Sequence, residues 1–163
     1  MCTMAVGSYI AVMPGYIVEH LGLSTAALGF VMGASGAFAV LFRPLGGTWS
    51  DRYGRRPVAT VGAAVLAAGS AVLLGPAVIV VIIFGRMLVG AGDSLFTVAA
   101  MAWVTDEADP KRRGRAMATI GMSLWLGLAL GPQWAVWVHD NFGYRGVWLG
   151  AAGLGFGALL LAW

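Results

Sequence analysis

Charged residues are scarce in this chain, and the few present fall into two groups that can do chemistry. Asp51, Arg52, Arg55 and Arg56 crowd into six consecutive positions, and Arg86 stands seven residues from Asp93 inside a long apolar run. Carboxylates and guanidinium groups at the first spacing can form and break ion pairs across a joint between two helices. An acid and a base inside an apolar run can hold a proton or counter the charge of a solute. Bond-making chemistry is not indicated: there is no catalytic set, no nucleotide-binding glycine loop and no metal cage. His20 and His139 lack ligand-spaced partners, and the single Cys2 permits neither an internal disulfide nor a cysteine metal site. The reading is therefore of a protein that is not an enzyme, with no cofactor and no metal.

The elements that must position these groups are membrane-length. Of 163 residues, 60% are hydrophobic and 10% charged, with a mean hydropathy of +0.84, which excludes a soluble domain with a charged surface. The net charge of +3 and the pI near 9.5 do not point to nucleic acid. The basic residues sit in two short loops between apolar runs, where they face anionic lipid.

Six helices are expected, at about 1–18, 25–45, 57–74, 77–104, 116–138 and 146–163, forming one all-α bundle over 1–163. Pro14-Gly15 should bend or end the first. Ser24 or Thr25 should cap the second, whose cytoplasmic end falls at Arg43-Pro44. Gly46 to Pro57 reads as a cationic turn, with Pro57 opening the third helix. Gly75-Pro76 makes an external hairpin, Thr105 to Arg115 a second cytoplasmic loop, and His139 to Arg145 an external turn. Arg43, Arg52, Arg55, Arg56, Lys111, Arg112, Arg113 and Arg115 then lie on one side and only Arg145 on the other. The positive-inside bias gives six spans with both ends cytoplasmic, in the cell membrane.

That bias explains the arginines of the first turn, but not Gly47, Asp51 and Gly54 at their offsets. Gly47-x-x-x-Asp51-Arg52-x-Gly54-Arg55-Arg56 resembles, position for position, the loop between helices two and three of the major facilitator superfamily of secondary transporters. The resemblance covers essentially the whole chain. Relatives carry twelve or more helices in two halves with the transport path between them, so it implies the amino-terminal half of a twelve-helix fold. A missing carboxy-terminal half or a second subunit is then the expected partner, together with membrane lipid, protons and a small-molecule substrate.

The resemblance further implies a latch that shuts the cytoplasmic side, built from Gly47, Asp51, Arg52, Gly54, Arg55, Arg56 and Asp106. Asp106 should approach Arg55 or Arg52, and the bare Gly47 should let helix two meet a neighbour across the seam between halves. Arg86-x-x-x-Gly90 resembles a helix-four motif tied to proton coupling in efflux branches. Arg86 and Asp93 should both face the bundle interior, roughly 10 Å apart along the axis and at almost the same azimuth. Asp93 is open between a protonatable carboxylate, a counter-ion for a substrate cation and a buried structural pair. Gly127-Leu128-Ala129-Leu130-Gly131-Pro132 resembles the core of a motif of drug and metabolite antiporters, and its glycines should permit close approach to the other half. Ala135 and Val136 depart from the glycine pair that often follows.

Tyr9, Met13, Met32, Phe38, Trp125 and Trp134 are candidates for lining a substrate cavity, with ordinary packing as the simpler alternative. Trp103, Trp137, Trp148 and Trp163 read as interface anchors, and His20 and His139 as external turn residues. The function implied is proton-coupled export of small organic molecules by alternating access. The alternatives are proton symport of a sugar or metabolite, and a truncated membrane module that does not transport.

Overall fold

The structure, a computed structural model, describes residues 1–109 and 111–162. Pro110, in the second basic loop, and Trp163, an expected interface anchor, lie outside the described residues. Among the described residues every regular element is helical. Helix α1 is Cys2–Pro14 and runs into a single π-helical turn, Gly15–His20. Then come α2, Thr25–Tyr53, α3, Arg55–Val72, and α4, Ile79–Glu107. The last helical run, Arg113–Ala162, breaks at Gly143 (φ 68°, ψ −173°) into α5 (113–142) and α6 (144–162).

Local chemistry accounts for most of these boundaries. Pro14 lacks the N–H of a regular turn, and just beyond it Leu21 N–H reaches five residues back to the Tyr16 carbonyl at 3.0 Å. Ser24 caps α2, its Oγ accepting from Ala27 N–H at 3.3 Å. The junction of α2 and α3 is one residue, Gly54, at φ 95° and ψ 154°, a conformation that residues with a Cβ rarely adopt.

Three expected boundaries are corrected. Helix α2 does not end at Arg43-Pro44: Pro44 lies inside it, and the part of the supposed cationic turn from Gly46 to Tyr53 is about two more turns of helix. A single proline costs one backbone bond, and polar contacts beyond it support the helix. Thr48 Oγ1 donates to the Pro44 carbonyl at 2.9 Å, and Asp51 pairs with Arg55 one turn on. Helix α4 continues past Val104 to Glu107, with Thr105 Oγ1 bonded to the Met101 carbonyl at 2.7 Å and Trp103 Nε1 donating to Glu107 Oε1 at 2.5 Å. The external turn from His139 to Arg145 shrinks to the break at Gly143, because Asn141 Nδ2 donates back to the Trp137 carbonyl at 2.7 Å and keeps α5 helical.

Helix α4 packs between α2 and α3, α3 also packs on α6, and α1 rests on α5 and α6. Bare backbone makes these seams close. A Cβ on Gly69 would stand 2.8 Å from the Gly85 carbonyl oxygen, and one on Gly92 would stand 2.7 Å from that of Gly62, so α3 and α4 meet backbone to backbone. A Cβ on Gly90 would run into the Ser35 carbonyl of α2. The core gathers Tyr9, Met13, Ile17, Leu66, Ile82 and Trp148, all almost fully buried. Trp148, expected at an interface, is 1% exposed, because its ring lies between Tyr9 and Tyr16.

Large apolar side chains ring the outside, Phe30, Val40, Trp125 and Leu161 among them. Thr25–Tyr53, Ile79–Glu107 and the run Arg113–Leu161 are long and apolar enough to cross a membrane, by length and composition.

Candidate functional site

The charged end of the bundle is assembled by the Gly54 joint. Ending α2 at Tyr53 and starting α3 at Arg55 puts Asp51 and Arg55 one helical turn apart in sequence, and the packing of α4 against both helices delivers Asp106 from its last turn. Arg55 Nε donates to Asp106 Oδ2 at 2.9 Å, and Arg55 Nη1 is paired with Asp51 Oδ1. One guanidinium thus bridges two helices and two carboxylates. The hydrogen bonds that Arg55 donates, to Asp106 first and Asp51 second, push its pKa above the ordinary value, so the group stays charged.

The other residues of the motif surround this bridge. Arg52 lies over the Tyr53 ring at 5.5 Å and Arg56 over the Trp103 ring at 6.0 Å. Gly47 faces open space, whereas its neighbour Gly46, which sequence reasoning passed over, meets α4: a Cβ there would lie 3.4 Å from Val98 Cβ. The adjacent pair of glycines was the available signal, since only one of two consecutive helical residues can face a given neighbour.

Arg86 is 3% exposed. Its guanidinium carbon stands 4.8 Å from the centre of the Tyr9 ring and Nη2 is 3.9 Å from Met32 Sδ, while Nε and Nη1 have no protein partner. Tyr9 is fixed beneath it: its hydroxyl donates to Ser70 Oγ at 2.6 Å, Ser70 donates to the Leu66 carbonyl at 2.9 Å, and the ring stacks on Trp148 with centroids 5.5 Å apart. Among the described residues Arg86 and Asp93 form no ion pair. Asp93 Oδ1 is buried without a partner, and so are Ser94 Oγ and Thr97 Oγ1.

Positions 86, 90, 93 and 97 recur at helical spacing, so one stripe of α4 carries a cation, bare backbone, an acid and a hydroxyl. Thr97 was not singled out in the sequence, although it stands one turn beyond Asp93. Buried polar atoms are almost always hydrogen-bonded, so unpaired ones in a row mark a place for water, an ion or a ligand.

The helix-five motif is positioned differently from expectation. Gly127 and Gly131 meet α1, not an absent half: a Cβ on Gly127 would lie 3.1 Å from Met4 N, and one on Gly131 would lie 3.0 Å from the Gly7 Cα. Pro132 joins the same seam, its Cδ standing 3.2 Å from the place of a Gly7 Cβ. The physical reason is that Gly7 on α1 offers the complementary hollow.

Of the six cavity candidates, Tyr9 and Met13 are fully buried in the core, so they pack and do not line an open face. Met32 touches Arg86, Phe38 stacks on Phe42 at 6.0 Å, and Trp134 covers the bare Gly150 of α6. Trp125 projects outward, 73% exposed.

A family model described as the Major Facilitator Superfamily matches residues 1–163. The chain belongs to the major facilitator superfamily. Its members are multi-pass membrane transporters, not enzymes, and the three long apolar helical runs of this chain fit that class. The chain is 31% identical over 155 residues to the Multidrug resistance protein B homolog of Mycobacterium tuberculosis, covering 94% of this chain and 28% of that protein. It is 36% identical over 121 residues to the Inner membrane transport protein YajR of Escherichia coli, covering 74% and 26% respectively. Multidrug resistance protein 2 of Bacillus subtilis is 26% identical over 130 residues, covering 79% and 32%. This superfamily chain thus spans about a quarter to a third of the length of these relatives.

Proposed function

We propose that the chain is the amino-terminal, six-span half of a secondary transporter that works by alternating access and exports small organic molecules in exchange for protons. Both ends of the segment lie on the cytoplasmic side in this reading, with eight of its ten lysines and arginines. The observation that carries it is Arg55 clamped between Asp51 and Asp106. A partly exposed guanidinium held by two carboxylates across two helices suits a contact that is made in one state and released in another.

The partner of this latch is the remainder of the transporter, met across the open face that bears Gly47. Arg86 and Asp93 serve the proton or the substrate. Their unpaired buried atoms fit groups that are completed by something which comes and goes. The relatives named for multidrug resistance support the export direction.

The test is flux in proteoliposomes of the full-length protein that carries this segment, with a fluorescent lipophilic dye as the probe. Collapse of an imposed proton gradient when dye is added on the opposite side supports exchange. Co-accumulation of dye and protons makes the protein a symporter instead, and no flux for any substrate in a broad panel leaves a membrane module that does not transport.

A further inference from the structure

The end of the bundle away from Arg55 holds a second, unassigned constellation. There the π-helical turn of α1, the Leu73–Ala77 connection between α3 and α4, and the break at Gly143 come together around a cavity of about 270 Å3. Its walls include Tyr16, His20, Pro76, Tyr144, Arg145 and Trp148. The rings brace one another: Tyr16 lies 5.6 Å from His20, 4.9 Å from Tyr144 and 5.4 Å from Trp148, centroid to centroid. His20 stands 5.1 Å from Tyr144. Backbone room makes this possible, since a Cβ at Gly15 would lie 3.2 Å from the Tyr144 hydroxyl oxygen.

The charges are sorted across this cluster. Glu19 and His139 line a separate cavity on the other side of Tyr144, and Asp140 is turned to His139 Nδ1 at 3.5 Å. The first cavity therefore keeps Arg145 and His20 without a carboxylate among its lining residues. Arg145 is also the only lysine or arginine that sequence places at this end, and among the described residues it makes no ion pair. A guanidinium, an imidazole and three braced rings around one hollow supply what a planar or tetrahedral anion needs, fork-shaped donors together with apolar surface. At about 30 Å3 per water molecule, the hollow holds a phosphate group with its nearest waters.

We propose that this cavity is a binding site for a phosphate oxyanion, held by Arg145 and His20 at the face opposite the Arg55 cluster. The occupant ties the ends of α1, α3, α4 and α6 together. It comes either from a phospholipid headgroup in the adjoining leaflet or from free phosphate, and the site does not depend on which solute the protein moves.

Two measurements on the full-length protein separate the sources. After delipidation and exposure to phosphatidylglycerol, native mass spectrometry reads the retained lipid. In delipidated micelles, a titration with inorganic phosphate reads the shift of the melting temperature. Arg145→Gln is expected to lower retention, or the phosphate affinity, about tenfold (about 1.4 kcal/mol), and Arg145→Lys to restore most of it. Arg112→Gln, at the opposite end, is expected to leave both unchanged. Loss of lipid retention alone assigns the headgroup, and loss of the phosphate response alone assigns free phosphate. If Arg145→Gln fails to fold, His20→Gln reports the same site with a smaller loss. Equal lipid retention and equal phosphate response in the native protein and the variants overturn the site.

Discussion

Arg86→Met separates the cost of the buried guanidinium from its use. The methionine keeps an unbranched apolar stem in the same pocket and removes the charge. What is lost is the contact over the Tyr9 ring at 4.8 Å, worth about 2 kcal/mol for a desolvated cation. What is regained is the hydration denied to a group that is 3% exposed and has two nitrogens without partners, a penalty of several kcal/mol. The balance predicts a fold between neutral and about 3 kcal/mol more stable, in line with other replacements of buried ionic groups by apolar ones. The assay is unfolding of the full-length protein in mixed micelles titrated with dodecyl sulfate, run beside proton flux in proteoliposomes. Stability held or gained with coupling to pH lost places the residue in function. A loss of stability beyond about 2 kcal/mol refutes the reasoning, because the guanidinium would then be holding the helices together.

Three further outcomes follow from the structure. Gly92→Ala sets a methyl 2.7 Å from the Gly62 carbonyl oxygen in a seam of backbone on backbone, so overpacking of about 1–3 kcal/mol outweighs the gain in helix propensity of about 1 kcal/mol. Gly114→Ala, with nothing within 4 Å, should be neutral or slightly stabilising in the same unfolding assay. The Arg55 pKa is raised, so its share of stability is in place below the ordinary arginine value and is lost only as pH rises through the higher one. Spin-label distances between the start of α3 and the end of α4, the two ends joined by Arg55 and Asp106, should therefore not change between about pH 6 and 9. A change in that window would mean that another group titrates at the bridge.

Much of this was legible because the membrane leaves few choices: long apolar runs must be helices, and charges must gather at their ends. The approach of Asp106 to Arg55 was legible from the family resemblance and the shared side of two helix ends, whereas the second pair, Asp51 with Arg55 four residues on, was not anticipated. The end of α2 was misread because Pro44 and a run of polar residues look like a turn, although a helix tolerates one proline when side chains recover the contacts. The partners of Gly127 and Gly131 were misread for a different reason. A small-residue stripe says that something comes close, and only the complementary hollow at Gly7 says that it is α1. Tyr9 looked like a cavity residue until Ser70 and Trp148 were found to hold both its ends. The unpaired Thr97 was within reach of helical periodicity, but its burial was not.

The latch is tested most directly by Asp51→Asn in the full-length protein, measuring transport rate in proteoliposomes together with the amount of protein inserted. The substitution keeps the shape and removes one of the two charges on Arg55. If the bridge acts as the proposed latch, insertion is normal and transport is slowed. Transport at the native rate would contradict it.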